Sequence, residues 1–593
     1  MENESTFVAP EGVYTVTDEH KPPPNLATIG GPVIYPTKVC SIVVRFPASK
    51  QSGAPGFVQL LGGNKETKKE KTSTKEREDG VSLSSSDTPD EGDQPSTQEI
   101  LPGSPSLPSQ EPHTLFSHFP AAGKKKQFTR PKHNIRTTSS TFITRIQTAE
   151  GLTRTLQSKQ GDTTFLFYNL AKSYVWIEAG SKAKDPLSRI TFSTHPTCHD
   201  INIATASSDH LDVIIGFSTG DLVWLDPITS RYARLNKQGC ISNSPCTAVR
   251  WVPSSPTLFL VAHADGTIVV YDKEREDGAF TAQDPVGKSV EISSNGGSSS
   301  GESTSQKDWD PTDSIFVTVP PWHPVTSGGS FAGNGKSEKE KAAKNPVSHW
   351  RVSRRSIVDF VFSPDVKYVG AISEDGCLRV IDALAEQLVD CYASYFGALT
   401  CVAWSQDGRF ILTGGQDDLL TIFSPWEQRV VARCQGHTSF VSALAFDDLR
   451  CDGRTYRFGS VGEDNKLILW DFSSGALHRP KFQATHHQRM SMSSTISLAL
   501  RRDKSTLYLP PAGLPGVDGS PSPRYHSAPS RNEIAVVQPV LVKNVEGDLL
   551  SSISFLPRSM LTSTKTGHIK LWIRPLALRP RVRSSRIPEI DLT

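Results

Sequence analysis

Gly436-His437 is followed by Ser460, by Asp464, and by a strand-like run Lys466-Leu467-Ile468-Leu469 that ends on Trp470-Asp471. Asp464 stands six positions before Trp470 and Ser460 four before Asp464, so a strand-turn-strand hairpin can bring both beside the indole, whose N–H needs a buried acceptor. His437 belongs to the loop before a first strand and Asp464 to the turn before a third. Together with Ser460 and Trp470 they form the polar network that ties the loops of a four-stranded blade to its core strand. A single blade cannot bury both of its faces. The chain is therefore constrained to a ring of blades.

Aligning on Trp470 finds the same strand end at Trp176, Leu225, Tyr271, Ile381, Phe423 and Trp572. Successive differences are 49, 46, 110, 42, 47 and 102 residues. The two long ones equal one repeat of roughly 40–45 residues plus an insertion of about 60. Asp265, Asp375, Asp417 and Asp464 each stand six before their aligned strand end, where a two-residue hairpin turn is expected. First strands recur as Ala248-Val249-Arg250-Trp251, Val358-Asp359-Phe360-Val361 and Cys401-Val402-Ala403-Trp404, with apolar and small or polar residues alternating. The expected fold is all-β, a seven-bladed WD40 β-propeller with long disordered insertions.

The domain plan follows from these repeats and from shifts in composition. Residues 1–60 carry strand-like runs at 12–16 and 41–46, either of which can complete a blade with strands from the carboxy end. Residues 61–140 are read as disordered, 141–273 as the first blades, 274–345 as a disordered insertion and 346–480 as the middle blades. A Ser/Pro-rich disordered insertion at 481–532, the last blade at 533–577 and a basic tail at 578–593 complete the chain. Within 81–123 there is no Lys or Arg, and six acidic residues stand among Ser, Pro and Gln, which leaves too little apolar surface to offset ordering entropy.

Overall, 36% hydrophobic residues and a formal charge of +2 call for neither a nucleic-acid partner nor a membrane surface, and no apolar run reaches the ~20 residues of a membrane span. Nine cysteines without a Cys-x-x-Cys pair, and an amino terminus without the regions of a secretion signal, predict a reduced intracellular protein, with both cytoplasm and nucleus open to it. The Lys124-Lys125-Lys126 patch and the arginines from Arg574 to Arg586 read as solvated faces.

No catalytic set emerges. Residues 328–337 approach a phosphate-binding loop, but Ser330 stands where its first glycine belongs. His195, Cys198, His199 and Asp200 lack further converging ligands and read as a loop feeding a strand at 201–204. His486-His487 reads as exposed polar sequence. The chain is expected to be no enzyme and to hold no cofactor or metal.

Several strings outside the repeat pattern carry a resemblance: His199-Asp200-Ile201-Asn202, Gly216-Phe217-Ser218-Thr219-Gly220, Trp251-Val252-Pro253, Ser394-Tyr395-Phe396-Gly397 and Tyr456-Arg457-Phe458-Gly459-Ser460. Over roughly residues 160–475 and the last blade the chain resembles the WD-repeat family of ubiquitin-specific protease cofactors. Only one blade has the full polar set, and Leu225, Ile381 and Phe423 replace the aligned Trp. The resemblance implies a non-catalytic partner that binds and stabilises or activates a CreB-type ubiquitin-specific protease, with other ubiquitin-pathway proteins as further partners, in carbon source utilisation and carbon catabolite repression. Aromatic residues in rim loops make good interface anchors, which selects Tyr395, Phe396, His437 and Phe440 as partner-binding candidates. A substrate receptor of a ubiquitin ligase is the alternative. Such propellers often carry Arg two residues after Trp-Asp, where this chain has Ser473.

Overall fold

The second and third strands of the repeats are apolar on both sides. In Val213–Phe217 and Leu222–Asp226 every residue is buried. Strands of that kind must be covered from two directions, which radially stacked sheets provide. The computed structural model describes residues 4–22, 35–47, 129–138, 140–181, 185–283, 285, 309–323, 343–473, 524–530 and 532–575. It arranges them as seven sheets, a seven-bladed β-propeller. From blade 1 to blade 7 the innermost strands are Val39–Phe46, Pro196–Ile201, Cys246–Trp251, Ile357–Phe362, Leu399–Trp404, Val441–Phe446 and Leu550–Phe555, each packed on the next. Trp176, Leu225, Tyr271, Ile381, Phe423, Trp470 and Trp572 all lie buried on third strands. Helix among the described residues is limited to Leu152–Ser158 and two short 3-10 turns.

The two amino-terminal strands have different fates. Gly12–His20 pairs antiparallel with Ile569–Ile573 and becomes the fourth strand of blade 7, whereas Val39–Phe46 opens blade 1. Sharing one sheet between the two ends of the chain closes the ring. Charge holds this closure. Arg457 of blade 6 donates to both oxygens of Glu11 at 2.8 and 2.7 Å and to Asp471 at 2.6 and 2.8 Å. Burial works against the guanidinium charge, yet the bonds to Asp471 and Glu11 raise its pKa above the ordinary arginine value.

Parts of the segments expected to be disordered are strands. His133–Asn134, within 61–140, pairs with Arg231–Leu235 of blade 2. Phe316–Thr318, within 274–345, is the fifth strand of blade 3. Tyr525–His526, within 481–532, runs parallel to Gln387–Ala393 of blade 4. Fourth strands leave a row of unpaired backbone groups at the rim, and a short polar segment can satisfy them with no apolar signature of its own. Two insertions fall inside blades, between third and fourth strands: Thr267–Asp272 and Ser348–Arg351 of blade 3, then Lys466–Ser473 and Pro539–Asn544 of blade 6. Before reaching blade 6 the chain straps the rims of blades 4 and 5, the latter through Ala535–Val537 parallel to Arg429–Gln435. His526 stacks on Tyr392 at 4.6 Å, and its Nε2 lies 2.8 Å from Asp390.

A belt of hydroxyls joins blades near the axis. Thr197 Oγ1 donates to the Cys246 carbonyl at 2.6 Å, Thr400 Oγ1 to that of Val441, Ser442 Oγ to that of Leu550 at 2.6 Å, and Ser551 Oγ to that of Thr37 at 2.9 Å. Thr400, Ser442 and Ser551 are the extra residues of bulges in their inner strands. A bulge turns that side chain out of the ladder and toward the next blade.

Candidate protein-docking face

The network expected around Trp470 is assembled on blade 6. The indole N–H donates to Ser460 Oγ at 2.9 Å, and Ser460 Oγ lies 2.8 Å from His437 Nε2. His437 Nδ1 lies 3.0 and 3.2 Å from the Asp464 oxygens. A proton on Nδ1 lets Ser460 donate to Nε2 and satisfies every member. Burial raises the Asp464 pKa, but donors from His437 and from the Thr438 and Lys466 amides hold it well below the usual carboxylate range. Gly462 is required here, since a Cβ would stand 2.8 Å from His437 Nδ1 and 2.9 Å from Asp464 Oδ1.

Other blades use substitutes that motif reading missed. In blade 7 the Trp572 indole donates to Thr562 Oγ1 at 2.9 Å. In blade 4 Ser353 and Ser373 donate to Asp375 at 2.7 and 2.5 Å, and buried Arg379 adds bonds to Ser373 and Asp375. The recurring Asp residues also have a local role: Asp265, Asp375, Asp417 and Asp464 each accept the N–H two residues on, at 3.0–3.2 Å. Their turns hold three residues rather than the expected two. The third residue is left-handed, as Gly266 (φ 90), Gly376 (φ 78), Asp418 (φ 61) and Asn465 (φ 56).

These turns brace the loops between fourth and first strands, where the partner-binding candidates lie. Ala398 N–H donates to Gln416 Oε1 at 3.1 Å and Gln416 N–H to the Ala398 carbonyl at 2.9 Å. Phe396 is thus held on a fixed turn and is 71% exposed. Tyr395, 40% exposed, lies under the Arg433 guanidinium at 4.5 Å, and Arg433 Nη2 donates to the Pro529 carbonyl of the strap at 2.8 Å. Phe440 is also 40% exposed, its carbonyl accepting the Glu463 N–H at 2.8 Å. Loops of this type in successive blades share one face of the ring, so the three aromatic rings border one surface. His437 does not join them. Its side chain is fully enclosed by the blade network, a correction that follows from its two ring nitrogens both being engaged. At the opposite strand ends Leu384 and Trp426 are exposed in turns between third and fourth strands, a second apolar pair that the sequence pattern did not flag.

The His195 to Asp200 stretch is mostly strand: Pro196–Ile201 is the inner strand of blade 2, and the chain turns after Ile201. His199 Nε2 lies 3.0 Å from the Phe167 carbonyl of blade 1, and burial lowers its pKa to about 4, so it bridges two blades as a neutral donor. Burial likewise raises the Cys198 thiol. The loop at 328–337, His486-His487, Lys124-Lys125-Lys126 and the tail beyond residue 575 lie outside the described residues. Among the described residues, no helix is long and apolar enough to cross a membrane.

Comparison with known proteins gives a family model, a curated relative and a solved structure among its matches. The family model for the WD domain, G-beta repeat, matches residues 389–424, from the fourth strand of blade 4 to the third of blade 5. Over 452 residues the chain is 35% identical to the UBP9-binding protein bun62 of Schizosaccharomyces pombe, a match covering 74% of this chain and 75% of that one. A chain of the solved structure titled the crystal structure of mitotic checkpoint complex aligns with TM-score 0.40 at 10% identity, covering 77% of this chain and 99% of that chain.

Proposed function

The chain belongs to the WD-repeat family of the UBP9-binding protein, and on that premise we propose that it is a non-catalytic scaffold for a ubiquitin-specific protease. The observation that carries the reading is Phe396, a large apolar ring left mostly in water on a braced turn, with Tyr395 and Phe440 beside it on the same face. Aromatic anchors on a rigid frame lose little entropy on binding and bury large apolar area. We propose further that the protease is of CreB type and that the chain acts as a CreC-like protein, stabilising or activating that protease in carbon catabolite repression.

The test is a pull-down of the purified protease with the chain carrying Phe396→Ala and Phe440→Ala, checked for cooperative melting. Binding should fall by about 2 kcal/mol or more for paired anchors. A Trp426→Ala control on the opposite face should bind as the parent does. Retained binding by the double variant would exclude this face. Protease turnover and protease half-life, each measured with and without the chain, separate activation from stabilisation.

A further inference from the structure

A pair of thiols lies at the root of the turn that carries Tyr395 and Phe396. Cys377 opens the third strand of blade 4, Cys377–Asp382, opposite Ala393 of the fourth strand, Gln387–Ala393, in which Cys391 lies opposite Arg379. Strand alternation puts Cys377, Arg379 and Cys391 on one face, and the two cysteines share one buried cluster as diagonal neighbours. The Cys391 thiol donates a hydrogen bond to the Cys377 sulfur. Beside them the buried Arg379 guanidinium is fixed by Ser373 and Asp375, each at 2.7 Å. At the seven other cysteines burial raises the thiol pKa. Cys377 is lowered instead, first by the bond from Cys391 and then by Arg379. The thiolate is the reactive form, and Cys391 is fully enclosed while Cys377 keeps some exposure, so oxidation begins at Cys377.

We infer that Cys377 and Cys391 are a redox modification site, oxidised by hydrogen peroxide to a disulfide that weakens docking at Phe396. The effect on docking rests on the scaffold function proposed above; the disulfide does not. The Cys377 thiolate attacks one peroxide oxygen, the O–O bond breaks, and the other oxygen leaves as hydroxide and takes up the thiol's former proton as water, which leaves a sulfenic acid. The Cys391 sulfur then attacks that of Cys377, the S–O bond breaks, and the departing hydroxide takes the Cys391 proton as a second water. Two thiols are oxidised and one peroxide is reduced. Diagonal neighbours stand about 7–8 Å apart, beyond the roughly 4.4–6.8 Å between the Cα atoms of a disulfide, so closing the bond must displace the fourth strand. That strand leads straight into the docking turn. Ser394 N–H donates to the Gly376 carbonyl at 2.6 Å and Ser394 Oγ to that of Gly397 at 2.8 Å. The packing there is close, since a Cβ on Gly376 would stand 2.5 Å from the Gly397 carbonyl oxygen. On the other edge Cys391 N–H donates to the Arg524 carbonyl at 2.8 Å, which ties the same strand to the strap that reaches Arg433 through Pro529.

The test treats the folded full chain with hydrogen peroxide, blocks the remaining thiols and maps the peptides without reduction. A Cys377–Cys391 cross-link should form ahead of oxidation at the other seven cysteines and be reversed by dithiothreitol. Cys391→Ala should stop at a sulfenic acid on Cys377, and Cys377→Ala should leave Cys391 unmodified at the same dose. The oxidised parent should bind the purified protease about 5-fold or more weakly, with recovery on reduction, while Cys377→Ala binds equally before and after peroxide. Oxidation of the parent that spares this pair, or reaches it no sooner than the other cysteines, overturns the site, a result that does not depend on either variant folding. A disulfide with unchanged affinity overturns its control of docking. A reduced parent chain that does not bind the protease overturns the scaffold reading, and the peptide map then decides the modification site by itself.

Discussion

The indole N–H of Trp470 meets Ser460 Oγ at 2.9 Å across ten residues of sequence, and Trp572 repeats the bond to Thr562 Oγ1 at 2.9 Å across the same ten. The interval is the length of one hairpin, two strands and their turn, so the bond reads out correct register. Shifting the pairing by one residue would move the hydroxyl to the other face and leave the indole without an acceptor.

Ser460→Ala should orphan two buried groups, the Trp470 N–H and His437 Nε2, and cost about 2–4 kcal/mol. Thr562→Val should orphan one, at about 1–3 kcal/mol. Urea unfolding at matched slope compares them. Equal losses would mean that the His437 link adds nothing.

Arg457→Met should leave Glu11, 7% exposed in its side chain, and Asp471 without their shared cation. Loss of one partner from a buried ion cluster costs about 3–5 kcal/mol. Since Glu11 lies in the amino-terminal hairpin, limited proteolysis should cut before residue 20 sooner in the variant. Parent-like cleavage would show that strand pairing alone closes the ring.

His210 predicts a pH dependence. Nδ1 lies 3.1 Å from Asp226 and Nε2 3.0 Å from Asp212, which also contacts Lys273 Nζ at 2.6 Å. Burial lowers the His210 pKa, but the two carboxylates outweigh it and raise the value to about 9 from 6.5. The folded state therefore holds this proton more tightly than the unfolded chain does. Its stabilisation is complete below about pH 6.5 and is lost as pH rises through about 9. Melting temperatures between pH 6 and 9.5 should fall more steeply for the parent than for His210→Phe.

Ser442→Ala and Ser551→Ala should each remove one interblade hydrogen bond, at about 1 kcal/mol apiece. Ser442 donates to the carbonyl of the Leu550–Ser551 peptide bond, so the two sites are neighbours and the double-variant loss, measured by thermal unfolding, should depart from the sum of the single losses. A double variant no weaker than either single one would remove the belt as a ring-closing device.

The loop positions of the aromatic candidates are legible in the sequence. Counting forward to the strands that follow puts Phe396 and Phe440 in loops, and their exposure agrees with that position. The sequence puts His437 in its loop but does not tell its buried network from an exposed interface, because one residue type serves both and only the surrounding blade distinguishes them. Arg433 carried no signal. Its place over Tyr395 depends on Pro529, which is 96 residues away in the chain.

From its own residues the sequence determined the repeat, the seven third strands and the Asp-containing turns, since strand periodicity and a side chain bonding two residues ahead are local chemistry. Only the tertiary structure decided which amino-terminal strand closes the ring, which rims are filled and which hydroxyls cross between blades. Rim pairing uses backbone N–H and C=O groups that every sequence carries, so composition is nearly silent about it, and the partner is chosen by where the folded chain happens to pass.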